Sequence, residues 1–280
     1  MMIKILATIF LFVSTTSCSQ NIDKIRAVKS EQILEFELEN TITGYKKGER
    51  KSNNGFGTDE MISYDTNGNV LMVYHLTSAD NPVLRQKFIY NSASKPVSLS
   101  AYNDNGETIS TRKYFYDNEN RITREEFTIL QNAAGLKNTI STYQYNSRND
   151  YVIFYSEMNE TTNEYELNNK QSVKTDAHQN IIEKRFFNPA SEMYREEYNE
   201  YNAEHHLLTS RIIDQWNDTK TDYFYDDESN IIKTIATSKN HTNQTNYEYS
   251  YDQYGNWITK KVIRKNGGEQ AYFDRTLVYF

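Results

Sequence analysis

From Tyr247 to Lys261 the chain alternates large with polar side chains, breaks once, and alternates again. Tyr247, Tyr249 and Tyr251 interleave with Glu248 and Ser250, the two-residue period of a strand with unlike faces. Asp252-Gln253-Tyr254-Gly255 then sets Asp first and Gly fourth, as a β-turn favours. Trp257, Thr259 and Lys261 resume the outward strand. The pattern predicts a hairpin.

Degraded copies of this unit begin at Tyr64-Asp65, Tyr90-Asn91, Tyr116-Asp117, Tyr145-Asn146, Thr175-Asp176, Tyr201-Asn202, Tyr225-Asp226 and Tyr251-Asp252. They are separated by 26, 26, 29, 30, 26, 24 and 26 residues, so the reading is about 26 residues per repeat. The Asp or Asn side chain accepts from a backbone N–H two residues on and holds the turn. The fourth turn residue is expected at positive φ, which Gly68 and Gly255 adopt without strain. Asn120, Asn149 and His205 are the next best tolerated, whereas Ser94, Gln179 and Ser229 are expected to use other turns.

The hydrophobic pattern places strands at 61–64 and 70–76, 86–90 and 97–102, 111–116 and 122–130, and 140–145 and 151–158. Further pairs fall at 170–175 and 180–187, 196–201 and 207–213, 221–225 and 231–237, and 247–251 and 257–263. A closing strand spans 276–280. Residues 25–51 read as a worn first repeat that turns near Thr43-Gly44, and 51–59 as a loop. The links 78–81, 131–137, 159–163, 217–218 and 238–246 are polar. Pro82, Pro96 and Pro189 sit in or beside predicted turns. The expected fold is all-β, a curled or spiral antiparallel meander of repeated hairpins. About 17–19 strands at about 4.8 Å each make a sheet too wide to stay flat. Charge on both faces at 122–127 and 258–264 argues against a lipid-facing barrel.

Tyr-Asp-x-x-Gly-Asn followed by an apolar residue, with tyrosines before it, resembles the YD repeat of the Rhs family. The copies YDTNGNV (64–70) and YDQYGNW (251–257) carry the motif, and YDNENRI and YDDESNI keep all but the glycine. The resemblance covers about residues 60–265. It implies a long antiparallel sheet winding into a spiral or shell, often at the cell surface. Large members enclose a toxic C-terminal domain. Here the repeats run to the end of the sequence, so that role is not expected to carry over.

Residues 1–18 read as a signal peptide: Lys4, an apolar run from Ile5 to Val13, then small residues before Cys18. Cys18 is the chain's one cysteine and resembles the acylated cysteine of bacterial lipoproteins, although Thr15 stands where leucine is usual. The domain reading is 1–18 signal peptide, 19–59 tether and worn repeat, 60–280 repeat array. The expected location is the cell envelope, as an outer-membrane lipoprotein tied to the membrane through Cys18. A chain with no second cysteine forms no internal disulfide.

Composition adds little chemistry. A net charge of −7 argues against a nucleic-acid partner. Asp65 to Asn69 and Asn103 to Gly106 lack the ligand order of an EF-hand, so no calcium site, other metal or cofactor is expected. His205-His206 point to opposite strand faces, and His75, His178 and His241 look isolated. Glu125-Glu126, Glu196-Glu197 and Asp226-Asp227 suggest glycosidase carboxylates, but acids recur on nearly every hairpin as solvated faces do. The singled-out residues are thus Cys18 as lipid anchor and Asp65, Gly68, Asp117, Asn120, Asp226, Asp252 and Gly255 as repeat turns. The expected function is a non-enzymatic binding or scaffold surface for glycan or protein. The alternative is an envelope polysaccharide hydrolase working through paired carboxylates in a groove.

Overall fold

The computed structural model describes residues 28–41, 44–51, 59–77, 79–131, 137–265 and 270–280. Cys18 and the expected signal peptide lie outside the described residues, as do the centre of the 51–59 loop and most of the 131–137 link.

The described residues form strands joined by short turns. The chain begins with β1 (Val28–Thr41), β2 (Gly44–Arg50), β3 (Glu60–Tyr64), β4 (Val70–Leu76), β5 (Pro82–Tyr90) and β6 (Pro96–Tyr102). It continues with β7 (Thr108–Tyr116), β8 (Ile122–Ile129), β9 (Thr139–Ser147), β10 (Asp150–Asn159), β11 (Glu164–Thr175), β12 (Ile181–Phe187) and β13 (Met193–Tyr201). The last six are β14 (Leu207–Asp214), β15 (Asp218–Tyr225), β16 (Ile231–Ser238), β17 (His241–Tyr251), β18 (Trp257–Arg264) and β19 (Ala271–Tyr279). Every ladder is antiparallel.

The expected curled or spiral sheet is corrected here: the sheet closes. β1 is 14 residues long and uses both edges. Along one edge it pairs with β19, from Val28↔Tyr279 to Glu37↔Ala271. Along the other it pairs first with β3, from Ser30↔Ser63 to Ile33↔Glu60, and then with β2, from Phe36↔Arg50 to Thr41↔Gly44. The ring therefore runs β1, β3 and onward to β19, giving 18 strands of the 19, with β2 as a side hairpin. Closure removes the two edges of unpaired N–H and C=O groups that a spiral would leave. The even strand count lets the first and last strands meet antiparallel.

Most predicted corners are built in one way. Asp65 Oδ1 accepts from the Asn67 and Asn69 N–H groups, the Asp65 and Asn69 backbones pair, and Gly68 sits at φ 80°. Asp117, Asp226 and Asp252 repeat the arrangement, with Asn120 at 58°, Ser229 at 66° and Gly255 at 82°. The expectation that Ser94, Gln179 and Ser229 use other turns is wrong: all three are left-handed. Two side-chain acceptor bonds and a closed backbone pair offset the strain of a non-glycine residue there. The corner at Asn149 departs instead, because β9 runs on to Ser147, which pairs with Asp150. The same turn also serves the opposite rim, at Asn103 with Gly106 and at Asn188 with Ser191. The expected 238–246 link is mostly strand, since Ser238 pairs directly with His241 and Thr, Asn and Gln pairs continue the ladder.

Closure leaves a concave and a convex face. Burial alternates along the strands. Lys113 and Phe115 are exposed between half-buried Tyr114 and Tyr116, and Glu248 and Ser250 between half-buried tyrosines. In a single-layered barrel only the concave face is crowded by curvature, so the tyrosine face is the inner wall. At about 4.8 Å per strand and a tilt near 40°, 18 strands give a backbone diameter of about 35 Å. Side chains alone do not fill a barrel of this strand number.

Candidate functional site

Three regions of the barrel concentrate chemistry: the inner wall, the rim that carries the YD-type turns, and the outer belt.

On the inner wall, tyrosine hydroxyls are tied to neighbouring strands. Tyr90 donates to the Val70 carbonyl, Tyr116 to Pro96, Tyr145 to Ile122, Tyr201 to Ile181, Tyr225 to Leu207 and Tyr249 to Ile231. Tyr251 and Tyr279 donate instead to the turn carboxylates of Asp226 and Asp252. The rings thus link one hairpin to the next, a packing role with the hydroxyl satisfied. Burial pushes the Tyr114, Tyr116, Tyr151 and Tyr155 hydroxyls up to about 12, so they stay protonated donors.

Two Arg–Glu–Tyr clusters interrupt this wall. Glu125 on β8 accepts from Arg112 of β7 at 2.9 Å on one oxygen and from the Tyr143 hydroxyl of β9 at 2.5 Å on the other. Glu31 on β1 accepts from Arg275 of β19 at 2.6 Å and from the Tyr64 hydroxyl of β3 at 2.6 Å. Each cluster spans three consecutive strands of the ring. The second lies across the closure seam, and the sequence carried no sign of it, because its members are far apart in the chain. Glu60 of β3 lies near Glu31, and burial first, then the Glu31 charge, raises its carboxyl above the ordinary value.

The raised Glu60 carboxyl has a consequence for stability. Between the ordinary carboxyl value and the raised one, the folded chain holds more protons than the unfolded chain, so stability falls as pH rises through that window. Glu60→Gln is expected to raise the urea midpoint at pH 7 and leave it unchanged below pH 4. Equal midpoints of variant and parent at pH 7 would contradict this.

Other expected carboxylate pairs are split by strand alternation. Glu125 points inward while Glu126 pairs outward with Arg124. Glu196 pairs with Arg185 and Glu197 with Arg195. Asp226 is a turn acceptor.

At the turn rim, His178, which looks isolated in the sequence, and His205, read there only beside His206, are brought together with ring centroids 4.0 Å apart. They occupy successive corners, and their 27-residue spacing was the available signal. Asn180 Nδ2 lies 3.2 Å from His205 Nδ1, and the His206 ring stacks on Tyr225. Among the described residues no group of three His, Cys, Asp or Glu side chains is placed to hold a metal. Two shallow depressions of about 600 Å³ adjoin here, sharing Asn202. One is lined by Asp176, His178, Ile182, Glu200, Tyr201 and His205, the other by Leu208, Phe224, Ile232, Lys233 and Asn246. Phe224, Lys233 and Asn246 are direct cross-strand neighbours, with Lys233 Nζ 3.8 Å over the Phe224 ring.

The outer belt is charged at mid-strand. Arg124 pairs with Glu126, Arg185 with Glu183 and Glu196, Lys220 with Asp222, and Lys261 with Glu248. Among the described residues no helix is long and apolar enough to cross a membrane, a test that does not bear on strands.

No family model matches this sequence, and no curated protein matches it. Among solved structures, a porin-like protein from Bacteroides uniformis aligns over 90% of this chain and 98% of its own, at 11% identity and a TM-score of 0.46. A porin-like protein from Bacteroides vulgatus aligns over 91% and 99%, at 10% identity and a TM-score of 0.39. A chain of the TcdB2-TccC3-Cdc42 structure aligns over 79% of this chain and 15% of its own, at 10% identity and a TM-score of 0.30. Likenesses this weak carry no functional argument. The barrel assignment rests on the strand pairings described above.

Proposed function

We propose that this chain is a non-enzymatic binding or scaffold barrel of the cell envelope, tethered to a membrane by lipid on Cys18, that holds glycan along its turn rim. The paired depressions from β12 to β17 carry the reading. They set an apolar floor of Ile182, Leu208, Phe224 and Ile232 beside the amides of Asn202 and Asn246. Such a lining suits a sugar, whose carbon faces need apolar contact and whose hydroxyls need amide partners.

The outer belt supports a barrel standing in water. Lysine and arginine at the midplane of a lipid-facing strand cost about 2–4 kcal/mol each. The tether reading rests on the apolar run before Cys18 and on the entry of β1 at the turn rim, where Val28 pairs with Tyr279.

The hydrolase alternative needs two carboxylates free to act across a cleft. Glu31 and Glu125 each have both oxygens engaged by an arginine and a tyrosine, as structural carboxylates do. This favours binding over catalysis.

A glycan array probed with the mature chain tests the reading. Phe224→Ala is expected to weaken the best glycan about tenfold, a loss of about 1.4 kcal/mol, with unfolding unchanged. An array without signal, or a Phe224→Ala chain that binds as its parent does, would overturn the glycan assignment. Metabolic labelling with a fatty-acid analogue tests Cys18, and unlabelled mature protein would remove the anchor.

A further inference from the structure

On β18, Lys260 and Lys261 are neighbours with opposite fates. Lys261 points outward and pairs with Glu248 at 2.9 Å. Lys260 points inward, directly between Tyr249 of β17 and Phe273 of β19. Its ammonium lies 5.2 Å from the Tyr247 ring centroid, 5.8 Å from Phe273 and 5.9 Å from Tyr249. These are its interactions, and no carboxylate among the described residues comes within ion-pairing range. At 5–6 Å the rings stand at the limit of cation–π attraction, so they exclude water from the amine more than they hold its charge. The next charged group on the same face of β19 is Arg275, already neutralised by Glu31.

We propose that Lys260 is a nucleophilic amine of the barrel's inner wall that captures aldehydes, including the open-chain form of reducing sugars, as an imine. A lysine desolvated among rings without a counter-ion presents more of its neutral form at pH 7 than a surface lysine does. Burial does lower its pKa. Lys260 keeps partial exposure on the concave side, so a small carbonyl compound reaches it. The amine lone pair attacks the carbonyl carbon and forms the C–N bond while the C=O π pair moves to oxygen. One proton passes from nitrogen to that oxygen. The carbinolamine then loses the hydroxyl with the second nitrogen proton as water and leaves a C=N bond, with no change in oxidation state. Tyr247, Tyr249 and Phe273 line the approach and give the bound carbon skeleton an apolar contact. This site is separate from the rim depressions, and its test is independent of the glycan reading there.

The full chain is incubated at pH 7 with limiting glyceraldehyde, trapped with cyanoborohydride and mapped by peptide mass. Lys260 is expected to be modified about tenfold faster than exposed Lys113 and Lys220, and the advantage is expected to narrow near pH 10, where surface amines also deprotonate. Lys260→Met is expected to lose the fast phase while the slow labelling of other lysines is unchanged. Lys260 modified no faster than Lys113 in the parent chain would overturn the proposal, and that comparison does not depend on how the variant folds.

Discussion

Glu31→Ala is expected to lower stability by about 3–5 kcal/mol, the range for stripping one partner from a buried ion pair. The Glu31 side chain is 7% exposed and that of Arg275 15%, so water does not replace the lost contact. The substitution strands the Arg275 guanidinium and leaves the Tyr64 hydroxyl without its acceptor, and both lie at the closure seam. Urea unfolding measures the loss. Amide exchange locates it: protection in β1 and β19 is expected to fall before that of β12 and β13. Glu31→Leu combined with Arg275→Met is expected to recover much of the stability, because both charges leave together. A cost of Glu31→Ala below about 1 kcal/mol, the value of an exposed pair, would mean that the seam does not depend on this cluster.

Asp59→Ala is the second large effect, at about 3 kcal/mol. Asp59 is 1% exposed and ties three strands. Its carboxylate accepts from the Glu35 N–H of β1 at 2.7 Å and from Arg50 Nε of β2 at 2.8 Å, while its carbonyl accepts from the Leu76 N–H of β4. Alanine keeps only the last of these. Arg50 retains Asp80, so the damage centres on β2 and on β1 around Glu35, whose N–H loses its acceptor. Amide exchange at Lys46 and Lys47 is expected to accelerate strongly while β12–β13 stays protected. Asp59→Asn, which keeps an acceptor, is expected to lose about half as much. Uniform acceleration across the barrel would show instead that Asp59 supports the whole ring.

Much of the fold was legible because hairpins are local. The alternation of Tyr247, Tyr249 and Tyr251 with polar residues marks one strand with two faces. The Asp or Asn at each corner marks where the chain reverses, and the structure shows Asp65, Asp117, Asp226 and Asp252 as turn acceptors. The site was less legible. His178 and His205 meet because successive corners stand side by side, which strand-by-strand reading does not reveal. Lys260 and Lys261 read as charges on opposite strand faces, but only closure of the sheet decides which of them points inward.

By itself the sequence determined an all-β chain with corners at Asp and Asn, a tyrosine-bearing face, and a single cysteine after an apolar run. Turn chemistry and two-residue alternation act over a few residues, so they can be read in order. Only the tertiary structure decided that the sheet closes, that β1 serves both sides of the seam while β2 stands aside, and that Glu31 meets Arg275 across 244 positions of chain. The curvature that joins a first edge to a last one is a sum of small twists over 18 ring strands, and no local pattern carries that sum.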